Sequence, residues 1–153
     1  MKRLKLTIDS DLGNVSLVAV AVKSVCTYLG LERNVGSQVE LCAVEAVTNA
    51  IQHAYHGQPG HFVSVIITNI SDQLCLEVVD SGTPMPPEYI QRLIHGSDVF
   101  QIHDTERAAL AESGRGLQIM HDLMDTVAYT PEGNCNRLQL TKRIPGLRQV
   151  EME

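Results

Sequence analysis

The sequence predicts a single α/β domain, and three observations lead there. Glu40 to Tyr55 carries a broad apolar arc of Ala43, Ala46, Val47, Ala50, Ile51 and Ala54 at helical spacing, with Gln38, Glu45, Asn49, Gln52 and His56 opposite. Phe62–Ile70 and Gln73–Val79 are strand-like runs parted only by Ser71-Asp72, the pattern of a hairpin with a tight turn. The length of 153 residues suits one core, burying roughly two thirds of the unfolded surface without disulfides or metals.

Composition narrows the function classes. Hydrophobic residues make up 44% and charged residues 20%, the balance of a soluble globular protein. The start has basic residues but no apolar core of signal-peptide length, and no later run could span a bilayer, so a cytoplasmic protein with no membrane partner is expected. A net charge of -6 argues against nucleic acid, whose non-specific binding needs Lys and Arg against phosphate. The absence of Trp and the few aromatics argue against stacking on bases. Cys26, Cys42, Cys75 and Cys135 lie far apart, without metal-ligand spacing, and are expected to be reduced, partly buried small hydrophobes.

In chain order, Leu4, Leu6 and Ile8 alternate with Lys5 and Thr7, a short strand at a sheet edge. Asn14 is a plausible N-cap for a helix that stops at Gly30; its Val content also allows strand, but its length favours helix. Ser37 is expected to cap the helix that reaches about Tyr55, before the loop His56–Gly60. After the hairpin come Asp80-Ser81-Gly82-Thr83-Pro84, a Pro-rich turn, and a short helix over about Glu88–Ile94. Residues His95–Ala111 have poor periodicity and read as a mobile connection. Gly114-Arg115-Gly116 then reads as a loop opening a helix, in which Met120 and Met124 are core. Thr126–Tyr129 and Arg137–Ile144 are strand-like, joined through Pro131–Asn134, and a loose tail covers 146–153. Residues 1–145 form one domain, with no internal repeat or linker.

Three short segments carry candidate chemistry. Glu45 and Asn49 stand one turn apart on one helix face, where a carboxylate and an amide can address one small ligand. Asp80 ends a strand in a loop of Gly and Pro; the arrangement is common in ordinary turns, yet such a carboxylate can also accept from an amino group like that of adenine, while Gly82 lets backbone approach a flat ring. Gly114 and Gly116 suit a flexible helix entry, or a phosphate held by free N–H groups at a helix N-terminus with Arg115 as a further contact. No Walker lysine follows, and the dinucleotide fingerprint is absent.

Glu45-x-x-x-Asn49, Asp80-x-Gly82 and Gly114-x-Gly116, in this order, resemble the three ATP-binding boxes of the GHKL superfamily, whose domain is the Bergerat-type ATP-binding fold. E-A-V-T-N-A-I-Q-H-A-Y and S-G-R-G-L-Q-I-M-H-D-L-M-D are most similar to the anti-sigma factor serine/threonine-protein kinases of that superfamily. The resemblance covers nearly the whole chain. It implies an α/β, or α+β, two-layer sandwich with helices on one face of a mixed, mostly antiparallel sheet. It implies Glu45 as the general base and Asn49 as the Mg²⁺ ligand. Nucleotide contacts are implied for Asn49, His53, Asp80, Gly82, Pro84, Gly114, Arg115, Gly116 and Leu117, with a purely structural role at the helix end as the alternative for His53 and His56. His95–Ala111 becomes a lid.

The function implied is a bacterial anti-sigma factor that uses Mg-ATP to phosphorylate a serine of an anti-anti-sigma (STAS-type) partner, with a sigma factor as the other partner and a homodimer as the expected assembly. Three positions depart from the pattern: Glu112 stands where some relatives have Arg, Pro84 where many have Gly, and a Thr that often opens the last strand is replaced near Asn136-Arg137. Glu112 and the altered last strand favour an alternative, an ATP-binding module that sequesters its partner without phosphotransfer.

Overall fold

A computed structural model describes residues 1–96 and 104–146, with side chains described for all of these except 104–113. The elements run β1 (Lys2–Asp9), α1 (Val15–Tyr28), α2 (Arg33–Asn49), β2 (Phe62–Ile70), β3 (Gln73–Asp80), α3 (Pro87–His95), α4 (Asp104–Leu123), β4 (Thr126–Glu132) and β5 (Cys135–Arg143). The sheet order is β1-β2-β3-β5-β4, so β1 is the edge that its alternation suggested. Every described ladder is antiparallel, including the β3–β5 crossover pair, where a mixed sheet was implied.

Register explains the two layers. Leu6, Val65, Val78 and Leu138 stand side by side across four strands, as do Ile67, Leu76 and Leu140. Because side chains alternate along a strand, this one face is continuously apolar and takes all the helices. Val18, Val22 and Cys26 of α1, Val39, Cys42, Ala43 and Val47 of α2, Leu93 of α3, and Met120 and Met124 at the end of α4 complete the core. The outer face carries polar pairs such as Arg137–Glu77, with Nη1 to Oε1 at 2.8 Å.

Two expected caps lie elsewhere. Asn14 makes no side-chain cap; its amide donates back to the Asp9 carbonyl at 3.2 Å, and Asp11 instead accepts from Gly13 N at the start of the preceding 3-10 turn. Ser37 lies inside α2, which begins at Arg33. Gly30, at φ +77°, ends α1 sharply, and Leu31 N donates to the Cys26 carbonyl, so α2 starts almost at once. Gly36 is where α1 and α2 approach closely: a Cβ there would stand 3.3 Å from Cys26 Cβ. Pro131, assigned to the connection by its residue type, is paired with Asn136 inside edge strand β4, a position where a missing N–H is tolerated.

Burial pushes the Cys26 thiol up to about 11 and the Cys42 thiol up to about 12. Both face the helix interface, whereas Cys75 and Cys135 are half-buried. Titration of the native protein with a thiolate-selective reagent should therefore label two sites readily and the other two only after denaturation. Four equally fast sites would contradict this packing.

Candidate functional site

The site begins where α2 changes pitch. Its last turn, Ala50–Ala54, is π-helical, with Tyr55 N donating to the Ala50 carbonyl at 3.1 Å. The wider turn shifts residues out of the wheel on which the polar stripe was drawn. Gln52 consequently falls outside the cleft, while His53 and His56 line it beside Asn49. Burial, followed by the neighbouring His56, lowers the His53 pKa and favours a neutral imidazole.

Strand β3 delivers Asp80 to the same place. The residue is 8% exposed, and its Oδ1 accepts from Gly82 N and Asn136 Nδ2, both at 2.9 Å. Burial raises the Asp80 pKa, partly offset by these two hydrogen bonds. The following loop is stitched to α2: Thr83 N donates to the Ala54 carbonyl at 2.9 Å, and a Cβ on Gly82 would fall onto that same carbonyl. Tyr55 Oη accepts from Ser81 N and donates to the Phe62 carbonyl, both at 2.7 Å, and Tyr129 Oη accepts from Met85 N at 2.8 Å.

Together these elements enclose a cleft of about 280 Å³. Asn49, His53, Asp80, Pro84 and Leu117 all line it, five of the residues expected to contact a nucleotide. Val78 and Leu138 contribute apolar wall from the sheet. An apolar slot with one convergent carboxylate suits a flat heteroaromatic ring bearing an amino group.

The glycines of α4 meet the last turns of α2 and the middle of α3. A Cβ on Gly116 would lie 2.6 Å from Glu45 Oε2 and 3.3 Å from Asn49 Nδ2. One on Gly114 would lie 2.6 Å from Arg92 Nη1. All three motif segments thus converge, but the expected glycine loop is absent. Helix α4 runs unbroken from Asp104 to Leu123, so the amides of Gly114–Gly116 are internal to a helix and are not free donors in this conformation. Good helix formers precede the glycines, in the sequence Glu106-Arg107-Ala108-Ala109-Leu110-Ala111-Glu112, and close packing on α2 and α3 accounts for the missing side chains. Arg115 points to solvent, outside the cleft. Of the proposed lid, 97–103 lies outside the described residues and 104–111 is helical.

Arg92 escaped the sequence reading because it belongs to no motif. Its Nε is buried without a hydrogen-bond partner among the described residues, and its guanidinium lies against Gly114. An arginine on a short helix after a Pro-rich turn was the sole available signal. Asn136, noted only as a departure, is likewise drawn into the site. Among the described residues no group of three or more His, Cys, Asp or Glu could hold a metal ion by itself. The amide oxygen of Asn49 fits a hard cation whose remaining ligands would be phosphate oxygens and water.

Residues 8–142 match the family model described as histidine kinase-like ATPase domain. The chain is 30% identical over 124 residues to the serine-protein kinase RsbW of Listeria monocytogenes serovar 1/2a, covering 80% of this chain and 73% of that protein. It is 27% identical over 127 residues to the anti-sigma F factor of Oceanobacillus iheyensis, covering 81% and 80%. Its fold is similar to that in the RsbU and RsbW domains of a Mycobacterium tuberculosis protein, with a TM-score of 0.62 and 15% identity over 94% of this chain and 32% of that longer one. The SiaB–SiaC complex of Pseudomonas aeruginosa contains a similar fold, with a TM-score of 0.59 and 13% identity over 89% and 88%.

Glycine substitutions should separate backbone contact from side-chain contact. Gly82→Ala drives a methyl into a main-chain carbonyl and should lower stability by about 1–3 kcal/mol. Gly116→Ala meets side chains rather than backbone, the Glu45 carboxylate first and the Asn49 amide at 3.3 Å, which can shift, and should cost less. Chemical denaturation of the two variants measures the order; the reverse order would refute the packing described.

Proposed function

The chain belongs to the histidine kinase-like ATPase domain family, and from that premise we propose that it is a bacterial anti-sigma factor and ATP-dependent serine kinase whose phosphate acceptor is an anti-anti-sigma (STAS-type) protein. The observation that carries this reading is the convergence of the three motif segments: Asn49, Asp80 and Leu117 line one cleft, Gly82 is seated on Ala54 at its edge, and Gly116 lies against Glu45 and Asn49. The names of the RsbW and anti-sigma F relatives support the same activity and circuit. A sigma factor is the proposed second partner, the working form a homodimer, and the compartment the cytoplasm. No described helix is long and apolar enough to cross a membrane.

Each residue has a task that follows from its place. Asp80 accepts from the base amino group, and Gly82 and Pro84 shape the slot around the ring. Leu117 and Val78 exclude water from it. Asn49 holds the cation through its amide oxygen, and Mg²⁺, when bound, supplies charge neutralisation for the phosphates. Glu45, one turn away on the same face, takes the proton of the attacking seryl hydroxyl. Arg92 at the Gly114 end adds a guanidinium suited to a phosphate oxygen, a role that the outward-facing Arg115 does not fill here. Before ATP can reach Glu45, α4 must draw away from it, because Gly116 lies against that carboxylate.

That contact also favours a second reading, a module that binds nucleotide and sequesters its partner without phosphotransfer. Glu45 held against α4 would then set conformation rather than accept a proton.

Transfer of labelled phosphate from ATP to a candidate acceptor distinguishes the two. Under the kinase reading Glu45→Ala lowers transfer by about 10²- to 10⁴-fold and leaves ATP affinity within a few-fold. Absence of label from the wild-type reaction, with partner binding intact, selects the module.

Asp80→Asn tests the base contact and has a defined pH signature. The folded pKa of Asp80 lies above its ordinary value of 3.8, so the native state holds its proton more tightly than the unfolded state. Its ionisation consequently destabilises the fold as pH rises from that value through the folded pKa, and fully above it. The amide variant keeps an oxygen for Gly82 N and Asn136 without the buried charge. It should bind ATP about 10- to 100-fold more weakly, yet melt no lower than wild type at pH 7. Calorimetry and thermal melts measure both; unchanged affinity would remove Asp80 from base recognition.

A further inference from the structure

Asn136 is 3% exposed at the start of β5, directly across the ladder from Asp80. Its amide nitrogen donates twice, to Asp80 Oδ1 at 2.9 Å and to the Gly82 carbonyl at 3.0 Å. The amide can sit only this way round, since the reversed group would place its oxygen against a carboxylate oxygen and a carbonyl oxygen. Gly82 N closes the arrangement by donating to the same Oδ1. One carboxylate oxygen is thus held by two donors. Among the described residues nothing bonds Oδ2, and Asp80 lines the cleft.

We infer that Asn136 is the positioning residue for base selection: it fixes the Asp80 carboxylate so that Oδ2 alone is presented to the cleft, selecting a base with an exocyclic amino group there and rejecting one with a carbonyl. This rests on the nucleotide-binding reading above and adds the residue that sets its specificity. Both amide hydrogens are consumed, so Asn136 gives an incoming base no donor of its own. Discrimination then falls on the orientation of one carboxylate oxygen. The 6-amino group of adenine satisfies it, whereas the 6-carbonyl of guanine brings an acceptor against an acceptor. Asn136 also ties β5 to the base loop, since the same amide holds the carbonyl of Gly82, the residue seated on the Ala54 carbonyl.

Losing the amide frees the carboxylate to rotate and removes a donor that favours its ionised form. Among the described residues, the charged or titratable groups around Asp80 are Tyr129 from β4, Tyr89 from α3, Tyr55, whose hydroxyl binds Ser81 N, and His53 and His56 across the cleft; Arg137 faces the other side of the sheet with Glu77. These are common to wild type and variant, so a difference between the two reports on Asn136.

The test measures ATP and GTP binding to the full chain by calorimetry with Mg²⁺, from pH 5 to 8, for wild type, Asn136→Leu, Asn136→Thr and Asp80→Asn. The expected result is an ATP preference in wild type that falls about tenfold or more in Asn136→Leu, with the acid-side loss of affinity displaced to higher pH. Asn136→Thr, keeping one hydroxyl donor in a smaller side chain, should lie between, and carries the test if the leucine variant does not fold. Wild-type selectivity and pH profile in a folded Asn136 variant, alongside weakened binding in Asp80→Asn, overturn the inference and leave the nucleotide site standing. Failure of wild type to bind either nucleotide overturns both.

Discussion

The structure turns on the contact between the end of β3 and the end of α2. Thr83 N reaches the Ala54 carbonyl, and Gly82 sits so close to that carbonyl that no side chain fits between them. A strand end and a helix end are thereby held at main-chain distance. Everything polar in the cleft depends on this, because Asp80 comes with the strand while Asn49 and His53 come with the helix. Flexible side chains meeting across a looser gap would carry the same groups without holding their spacing.

Around that contact the protein confines charge to a few places. The sheet wall is apolar, His53 favours the neutral form, and the Asp80 carboxylate is buried with donors on one oxygen. A buried carboxylate is expensive unless hydrogen-bonded, and Asn136 and Gly82 N meet that need on one side only. The other oxygen has no hydrogen-bond partner among the described residues, so the ligand-free fold bears the cost of a carboxylate satisfied on one side. Beside the cleft, Glu45 and Asn49 meet Gly116 and Arg92 meets Gly114, and the absence of side chains on these glycines lets α4 lie on them. That side closes on itself in this conformation, while the cleft beneath the base loop stays open.

Much of the fold was legible because it follows local rules. Alternation located β1, the two strand-like runs located β2 and β3, and the two-residue turn at Ser71-Asp72 appears where it was expected, with Ser71 at φ +54°. Met120 and Met124 are buried at helical spacing. Asn49, Asp80, Pro84 and Leu117 share the cleft, and Glu45 touches Gly116. Helix starts were less legible: Ser37 is a good cap by residue type, but the Gly30 turn had already placed the chain for α2 to begin at Arg33. Glycines misled for a related reason. A G-x-G pattern reads equally as a bend or as close packing, and the two differ only in what lies opposite.

What the amino-acid order determined alone is therefore the periodic part: which segments are helix or strand, which face each buries, and which short polar motifs are set aside from the core. Tertiary structure decided the rest. The unbroken course of α4 through Gly114 and Gly116, the π turn that admits His53 and drops Gln52, the use of Arg92, and the pairing of Asn136 with Asp80 all depend on neighbours remote in sequence. The last pair is 56 positions apart and meets only because β5 crosses to lie beside β3 in one register. Periodicity is written into a few successive residues, whereas a close approach between distant backbones depends on the packing of the whole sheet against its helices.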